Sequence, residues 1–175
     1  MSKHDREKTD DELLNDLNCK GYDGSTILHH ACRAGHVELA ETLLTYFNLD
    51  PLGVNNDGNT PLHYAAIKDR KELAELLITK YHCPVDCRNI NNRTPLHEAC
   101  SYGNLSVVRV LVSDHKADLC IYDIDGETPL HVSVRFNQIS VVKYLITELN
   151  CSISNKGLEG RTVLHMPVMQ GILKL

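Results

Sequence analysis

The stretch Thr60-Pro61-Leu62-His63-Tyr64-Ala65 decides the fold, because its residues suit the first turns of a helix one after another. Threonine is a good helix N-cap, proline fits the first helical position, and a histidine three residues after the cap can return a hydrogen bond to it. Small alanines further along let a neighbouring helix approach closely. The sequence therefore predicts a helix that begins at Pro61.

The same start recurs at a fixed spacing, and such self-similarity is typical of a repeat architecture. Three series keep the constant step that separates Thr26 from Thr60: Thr26, Thr60, Thr94, Thr128 and Thr162; His29, His63, His97, His131 and His165; Gly35, Asp69, Gly103, Asn137 and Gly171. Residues of the third series tolerate a left-handed backbone, which predicts a tight turn after each first helix.

A second helix follows each turn and has a stripe of apolar side chains. In one unit the stripe is Leu73, Ala74, Leu77 and Ile78, and its spacing returns in the other units. A single helix pair cannot bury this face, so the units must stack into a solenoid. Loops between units close on pairs such as Asp57-Gly58, which are typical of hairpin turns, and we expect each loop to project as a finger.

The stretches Thr60–Ala65 and Thr94–Ala99 resemble the T-P-L-H-x-A signature of the ankyrin repeat family. The tetratricopeptide unit has the same period, about 34 residues, but it lacks this start and the finger. The resemblance covers residues 24–175 and implies an all-α ankyrin-repeat solenoid of helix-turn-helix units with projecting hairpin loops. Its predicted units are 24–57, 58–91, 92–125, 126–159 and an incomplete repeat 160–175, called repeats 1 to 5 below.

Two departures from the family pattern carry expectations of their own. Ankyrin repeats usually have about 33 residues, one fewer than the period here, so we expect the additional residue in segments Tyr46–Asn56 and Lys80–Ile90 and their equivalents. Pro167 falls inside the first helix of the incomplete repeat and should shorten it. The apolar end that follows predicts either a fragment of a longer repeat protein or an end that docks onto something.

The segment before the repeats is divided into two parts. Residues 1–8 are charged and polar, and we expect a disordered N-terminus. Residues 9–23 are expected to form an N-terminal capping helix, because Thr9 and Glu12 fit a capping box and Leu13, Leu14 and Leu17 form a short apolar stripe. Such a helix would cover the exposed face of the first repeat.

Composition argues against several classes of protein. The net charge of −5 repels a nucleic-acid backbone, and no stretch is long and apolar enough for a signal peptide or a membrane span. We therefore expect no nucleic-acid partner, no membrane association, and a cytoplasmic location, with a nuclear one also open. The seven cysteines are then expected to be free thiols. No phosphate loop, nucleophile elbow or dinucleotide turn is present, which predicts a non-enzyme without cofactors.

Two sets of residues, the periodic histidines and a cysteine pair, have side chains that can bind metals. The structural histidines His29, His63, His97 and His131 would lie about 8–10 Å apart in stacked units, whereas one metal needs ligands at about 2 Å. The C-x3-C pair Cys83 and Cys87 has no second pair in register. Cys83 aligns with a small buried residue in the next repeat. We therefore expect no metal site.

The resemblance also implies where a partner would bind, namely the finger tips and the exposed ends of the first helices. The predicted partner-binding residues are Arg33, Asn56, Asp57, Asn59, Ile67, Lys68, Ile90, Asn91, Arg93, Ser101, Tyr102, Ile124, Asp125, Glu127, Arg135 and Phe136. Several are apolar or aromatic, and aromatic residues and arginine are typical interface anchors.

These observations favour a non-catalytic, monomeric protein–protein interaction scaffold or adaptor whose partner cannot be identified from the sequence. The alternative is a regulatory or targeting fragment of a larger ankyrin-containing enzyme, channel or ubiquitin-ligase adaptor. Tyr102 and Phe136, flanked by Arg93 and Arg135, suggest an acidic or amphipathic peptide as the bound form.

Overall fold

The computed structural model describes residues 16–157, 160 and 162–165. Four helix pairs follow one another along this part of the chain. The first helices are Ile27–Ala34, Pro61–Ile67, Pro95–Tyr102 and Pro129–Arg135, and the second helices are Val37–Thr45, Lys71–Thr79, Leu105–Arg109 and Ile139–Lys143. Beyond an isolated bridge between Lys156 and Thr162, the described residues form no strands. The predicted all-α solenoid is confirmed.

Each first helix begins at a threonine cap, and in repeats 1 to 3 the histidine side chain completes a capping box with it. In repeat 3, Thr94 Oγ1 accepts from the backbone N–H of His97 at 3.4 Å, and His97 Nδ1 accepts from the backbone N–H of Thr94 at 3.2 Å. The other ring nitrogen, Nε2, lies 3.2 Å from the Glu127 carbonyl. A carbonyl only accepts, so Nε2 carries the ring proton and the imidazole is neutral. His29 and His63 bond Asn59 and Arg93 in the same way.

The first helices end in a left-handed turn, as the third series predicts. The backbone N–H of Asn104 donates to the Ala99 carbonyl five residues back, at 2.9 Å, across Gly103 with φ 74°. This closure is the Schellman motif. Equivalent bonds cross Gly35, Asp69 and Asn137.

The second helices end in a wider turn, which the sequence did not reveal. The N–H of Cys83 donates to the Leu77 carbonyl six residues back, at 3.0 Å, and the residue before it, His82, has φ 54°. Asn48, Lys116 and Asn150 are left-handed at the same position. In repeats 3 and 4 the helix widens into π-helical turns, Val110–Asp114 and Tyr144–Glu148. One more residue is thus accommodated here than at the end of a first helix.

Stacking buries the apolar stripes between neighbouring repeats. Leu73, Leu77 and Val107 are fully buried, whereas Leu39, at the Leu73 position of repeat 1, is 42% exposed. A polar residue after each first helix also reaches back to the preceding repeat. Asn104 Nδ2 donates to the Ala66 and Ile67 carbonyls at 2.7 and 2.9 Å, and Gln138 and Arg70 make similar bonds.

The fingers are tight turns at 55–59, 89–93 and 123–127 that are bonded to one another. Within each finger a side-chain oxygen of Asn55, Asn89 or Asp123 accepts two backbone N–H groups. Between fingers, the N–H of Ile90 donates to the Asp57 carbonyl and that of Ile124 to the Asn91 carbonyl, both at 3.0 Å. The fingers therefore form one continuous edge of the solenoid.

Both ends of the chain lie largely outside the described residues. The predicted disordered segment 1–8, the first part of the predicted capping helix and Pro167 are among the residues outside. In the described part of that segment the helix ends at Leu17, so residues 18–23 form turns and irregular backbone instead of the predicted helix. Leu17, the last apolar residue of the predicted capping helix, packs against the core. No helix in the part of the chain that the structure describes is long and apolar enough to cross a membrane.

Candidate partner-binding surface

The surface between the finger turns and the carboxyl ends of the first helices is the predicted binding surface and is called the groove below. Ion pairs show that the two sides face each other: Arg135 Nε, at the end of a first helix, lies 3.1 Å from Glu127 Oε2 in the finger before it. Its Nη1 lies 3.6 Å from Asp125 Oδ2. Residues one repeat apart occupy equivalent places along this groove, so it can be described repeat by repeat.

Across repeats 1 and 2 the first-helix side of the groove is mostly polar. Its first-helix residues are exposed Arg33 and Lys68 and half-buried Ile67. On the fingers, exposed Asn56 donates from Nδ2 to the Tyr22 carbonyl at 3.2 Å, and Asn59 Oδ1 accepts from Asn89 at 2.9 Å. Exposed Asp57 lies beside them on the same finger. These amides are already engaged between fingers.

Across repeats 3 and 4 the groove is apolar and aromatic. Tyr102 and Phe136 are 55% and 47% exposed, and on the fingers Ile90 and Ile124 are 64% and 60% exposed. The Arg135 guanidinium lies 5.1 Å from the Phe136 ring centroid, within the range of a cation–π contact. Exposed Asn91 separates the two isoleucines along the finger edge.

Two predicted site residues lie inside the protein rather than in the groove. Ser101 is only 8% exposed, and its carbonyl accepts from Gln138 Nε2 at 2.8 Å. Arg93 is largely buried: its Nε lies 3.3 Å from Asp123 Oδ2 and its Nη1 3.7 Å from Glu98 Oε1. Packing between repeats explains both positions, since each residue faces the next unit. Arg93 is thus not available as a flanking cation.

The sequence suggested an acidic or amphipathic peptide as the bound form, and the charges around the aromatic pair bear on the acidic alternative. Glu98 and Asp123 are buried against Arg93, while Asp125 and Glu127 share Arg135. Burial raises the pKa of both Glu98 and Glu127, and the neighbouring arginines oppose that shift. Each of the two guanidinium groups is therefore already paired with two carboxylates before any partner arrives.

Three exposed apolar residues of the fingers were missed by sequence reasoning. Tyr22 is fully exposed and lies one repeat period before Asn56, and Val54 and Tyr122 are 43% and 44% exposed at equivalent positions two repeats apart. The repeat period could have identified them, because it relates Tyr22 to Ile90 and Ile124 through Asn56.

Among the cysteines and histidines considered for metal binding, Cys87 Sγ lies 3.9 Å from His63 Nδ1. Cys83 and Cys100 are buried, and burial raises the pKa of Cys83 to about 12, so its thiol stays protonated. His82 is an exposed loop residue in the left-handed conformation. Within the described residues, no group of three or more His, Cys, Asp or Glu side chains is placed to hold a metal ion.

Comparison with known proteins agrees with this architecture. The model of the family described as ankyrin repeats, three copies, matches residues 4–89 and 79–156. A search of curated proteins found no match. Ankyrin repeats are generally protein–protein interaction modules, and the family is typically non-catalytic. The family match spans most of the chain and coincides with the stacked helix pairs, and the chain therefore belongs to the ankyrin repeat family.

Proposed function

We propose that this chain is a non-catalytic scaffold or adaptor whose protein partner docks in the groove across repeats 3 and 4. The exposed pair Tyr102 and Phe136 supports this most directly, because the two residues take the same position in successive repeats. Stacked helices place such positions about 8–10 Å apart. Two aromatic anchors at this spacing suit a segment that crosses the groove.

The first helices in the other half of the groove lack such anchors. The positions equivalent to Tyr102 in repeats 1 and 2 are Ala34 and Lys68. Truncating an alanine or a solvated lysine removes little buried area from an interface, whereas aromatic side chains are often hot spots. The binding energy is therefore centred on repeats 3 and 4, with Ile90 and Ile124 as the facing apolar surface.

The aromatic surface is also held in place before binding. The Arg135 guanidinium covers one side of Phe136, and Glu127 and Asp125 hold that guanidinium from the finger. A side chain that is already ordered loses little conformational freedom on association. Phe136 is accordingly suited to act as a fixed anchor, and Arg135 supports it.

The test compares what the wild-type chain and a Tyr102→Ala/Phe136→Ala variant retain from a cell extract, by quantitative mass spectrometry. A specific partner should be lost with the double variant, and its affinity should fall about thirtyfold or more for a single anchor worth about 2 kcal/mol. Circular dichroism would establish that the variants remain folded.

Tyr46→Ala is the matched control, because Tyr46 is an exposed tyrosine at the end of a second helix, away from the groove. It should leave recovery of the partner unchanged. Equal loss with Tyr46→Ala, or full retention by the double variant, would contradict binding at the Tyr102 and Phe136 pair.

A further inference from the structure

The described side chains around the aromatic pair carry an excess of negative charge. Four carboxylates lie there, Glu98, Asp123, Asp125 and Glu127, and they contact two guanidinium groups, Arg93 and Arg135. This group of six residues has a net charge of two negative units when all its members are ionised. Exposed Arg88, whose Nη1 donates to Asn92 Oδ1 of the neighbouring finger, reduces the excess to one negative unit. The whole chain has a net charge of −5.

The excess is not distributed evenly between the interior and the groove. Arg93 lies between Asp123 and Glu98, whose side chains are 1% and 9% exposed, so this trio is enclosed. Asp125, by contrast, has a side chain that is 58% exposed and a contact of 3.6 Å to Arg135. A carboxylate can accept several hydrogen bonds. Asp125 therefore has acceptor capacity facing the groove.

The polar half of the groove provides a comparison. Its exposed charged residues are Asp23 and Asp57 on the fingers, Lys20, which donates to the Val54 carbonyl, and Arg33 and Lys68 on the helices, so negative charge is not in excess there. Along the described part of the groove, unbalanced negative charge coincides with exposed aromatic and aliphatic side chains only across repeats 3 and 4. The surface across repeats 3 and 4 thus combines exposed apolar side chains with an excess of negative charge.

We infer that the segment bound across repeats 3 and 4 carries a lysine or arginine next to an apolar or aromatic side chain. The inference rests on the proposed function and adds the chemistry of the partner. The apolar side chain packs between Tyr102, Phe136 and Ile124, while the cation pairs with Asp125 at the rim. An acidic segment would instead meet carboxylates whose arginines are already engaged, and like charges are disfavoured.

The experiment selects binders of the full chain from a displayed library of random dodecapeptides. The enriched peptides should combine lysine or arginine with an adjacent apolar residue. The best of them would be synthesised with a fluorescent label, alongside a version in which glutamine replaces the basic residue. Dissociation constants from fluorescence anisotropy at low and high salt would then be compared, and the parent peptide should bind less tightly in high salt.

A double-mutant cycle locates the contact. Asp125→Asn should weaken the parent peptide about two- to fivefold, as expected for a pair at a solvated rim, and should have almost no effect on the glutamine peptide. Glu72→Gln is the matched control, because Glu72 is an exposed carboxylate on a second helix. It should change neither affinity.

The outcomes separate the two proposals. Enriched peptides that are neutral or acidic, an additive cycle, or no enrichment at all would overturn the inference. Peptides that bind equally to the Tyr102→Ala/Phe136→Ala variant would instead overturn the proposed function, since the binding surface would then lie elsewhere. Basic, apolar peptides that need both aromatic residues and Asp125 would support both.

Discussion

Repeats 1 and 2 contain nearly the same second helix in two different environments. The stripe Leu39, Ala40 and Leu43 in repeat 1 matches Leu73, Ala74 and Leu77 in repeat 2. Leu73 is fully buried between two neighbours, yet Leu39 is 42% exposed. The same leucine thus belongs to the core in one repeat and to the surface in the other. A position in this fold is defined by whether a neighbouring repeat covers it.

The difference predicts a large gap in stability between two identical substitutions. Leu73→Ala should lower the free energy of unfolding by about 2–5 kcal/mol, because it opens a cavity that neighbouring repeats cannot fill. Leu39→Ala should cost less than about 1 kcal/mol, since much of that side chain is already in water. Urea titrations followed by circular dichroism would measure both. Equal losses would show that another part of the chain covers Leu39.

A second pair of substitutions compares the stability lost at buried His97 with that lost at exposed Lys68. His97→Ala removes both the cap to Thr94 and the bond to the Glu127 carbonyl, leaving buried polar groups unpaired. We expect a loss of about 1–3 kcal/mol. Lys68→Ala, on the exposed groove, should change stability by less than about 0.5 kcal/mol. The interpretation of the histidine as a structural residue fails if thermal unfolding shows similar losses.

The third and smallest expected change in the free energy of unfolding comes from a fall in pH just below neutrality. Burial lowers the pKa of both His63 and His97 to about 4, whereas an unfolded histidine titrates near 6.5. The unfolded chain therefore takes up protons first, so this stability is complete only well above pH 6.5 and is lost as the pH falls through 6.5 toward 4. Between pH 7 and 6 the two histidines together should cost on the order of 1 kcal/mol.

Substitution by glutamine isolates this titration. Glutamine at the third helical position can still complete a capping box, but it does not bind a proton in this range. His97→Gln should therefore make the denaturation midpoint less sensitive to pH between 7 and 5 than in the wild-type chain. An unchanged pH dependence would assign the acid sensitivity to other groups.

Sequence reasoning identified the features that repeat. The threonine caps, the left-handed turns and the buried stripes follow local rules, and the repeat period aligned them. It did not find the wide turn after each second helix, because its left-handed residues Asn48, His82, Lys116 and Asn150 share no side-chain chemistry. Only backbone hydrogen bonds make that turn recognisable.

The groove was predicted less completely, since it depends on contacts between repeats. The period placed Tyr102, Phe136 and Ile124 in one region, and they are exposed. It could not show that Arg93 turns inward to Asp123, a residue 30 positions away, or that the next repeat buries Ser101. Ion pairs of this kind are set by side-chain geometry across an interface rather than by spacing within one helix.

The hydrogen bonds from the histidines to the following fingers make each repeat depend on the repeat that comes after it in the chain. His29, His63 and His97 are completed by carbonyls 30 residues later, so a repeat is not fully bonded until the next one exists. During synthesis the ribosome adds about 5–20 residues per second, and one repeat takes roughly 2–7 s. A nascent repeat therefore spends seconds with its imidazole Nε2 exposed to water, and each new repeat supplies the carbonyl that completes the one before it.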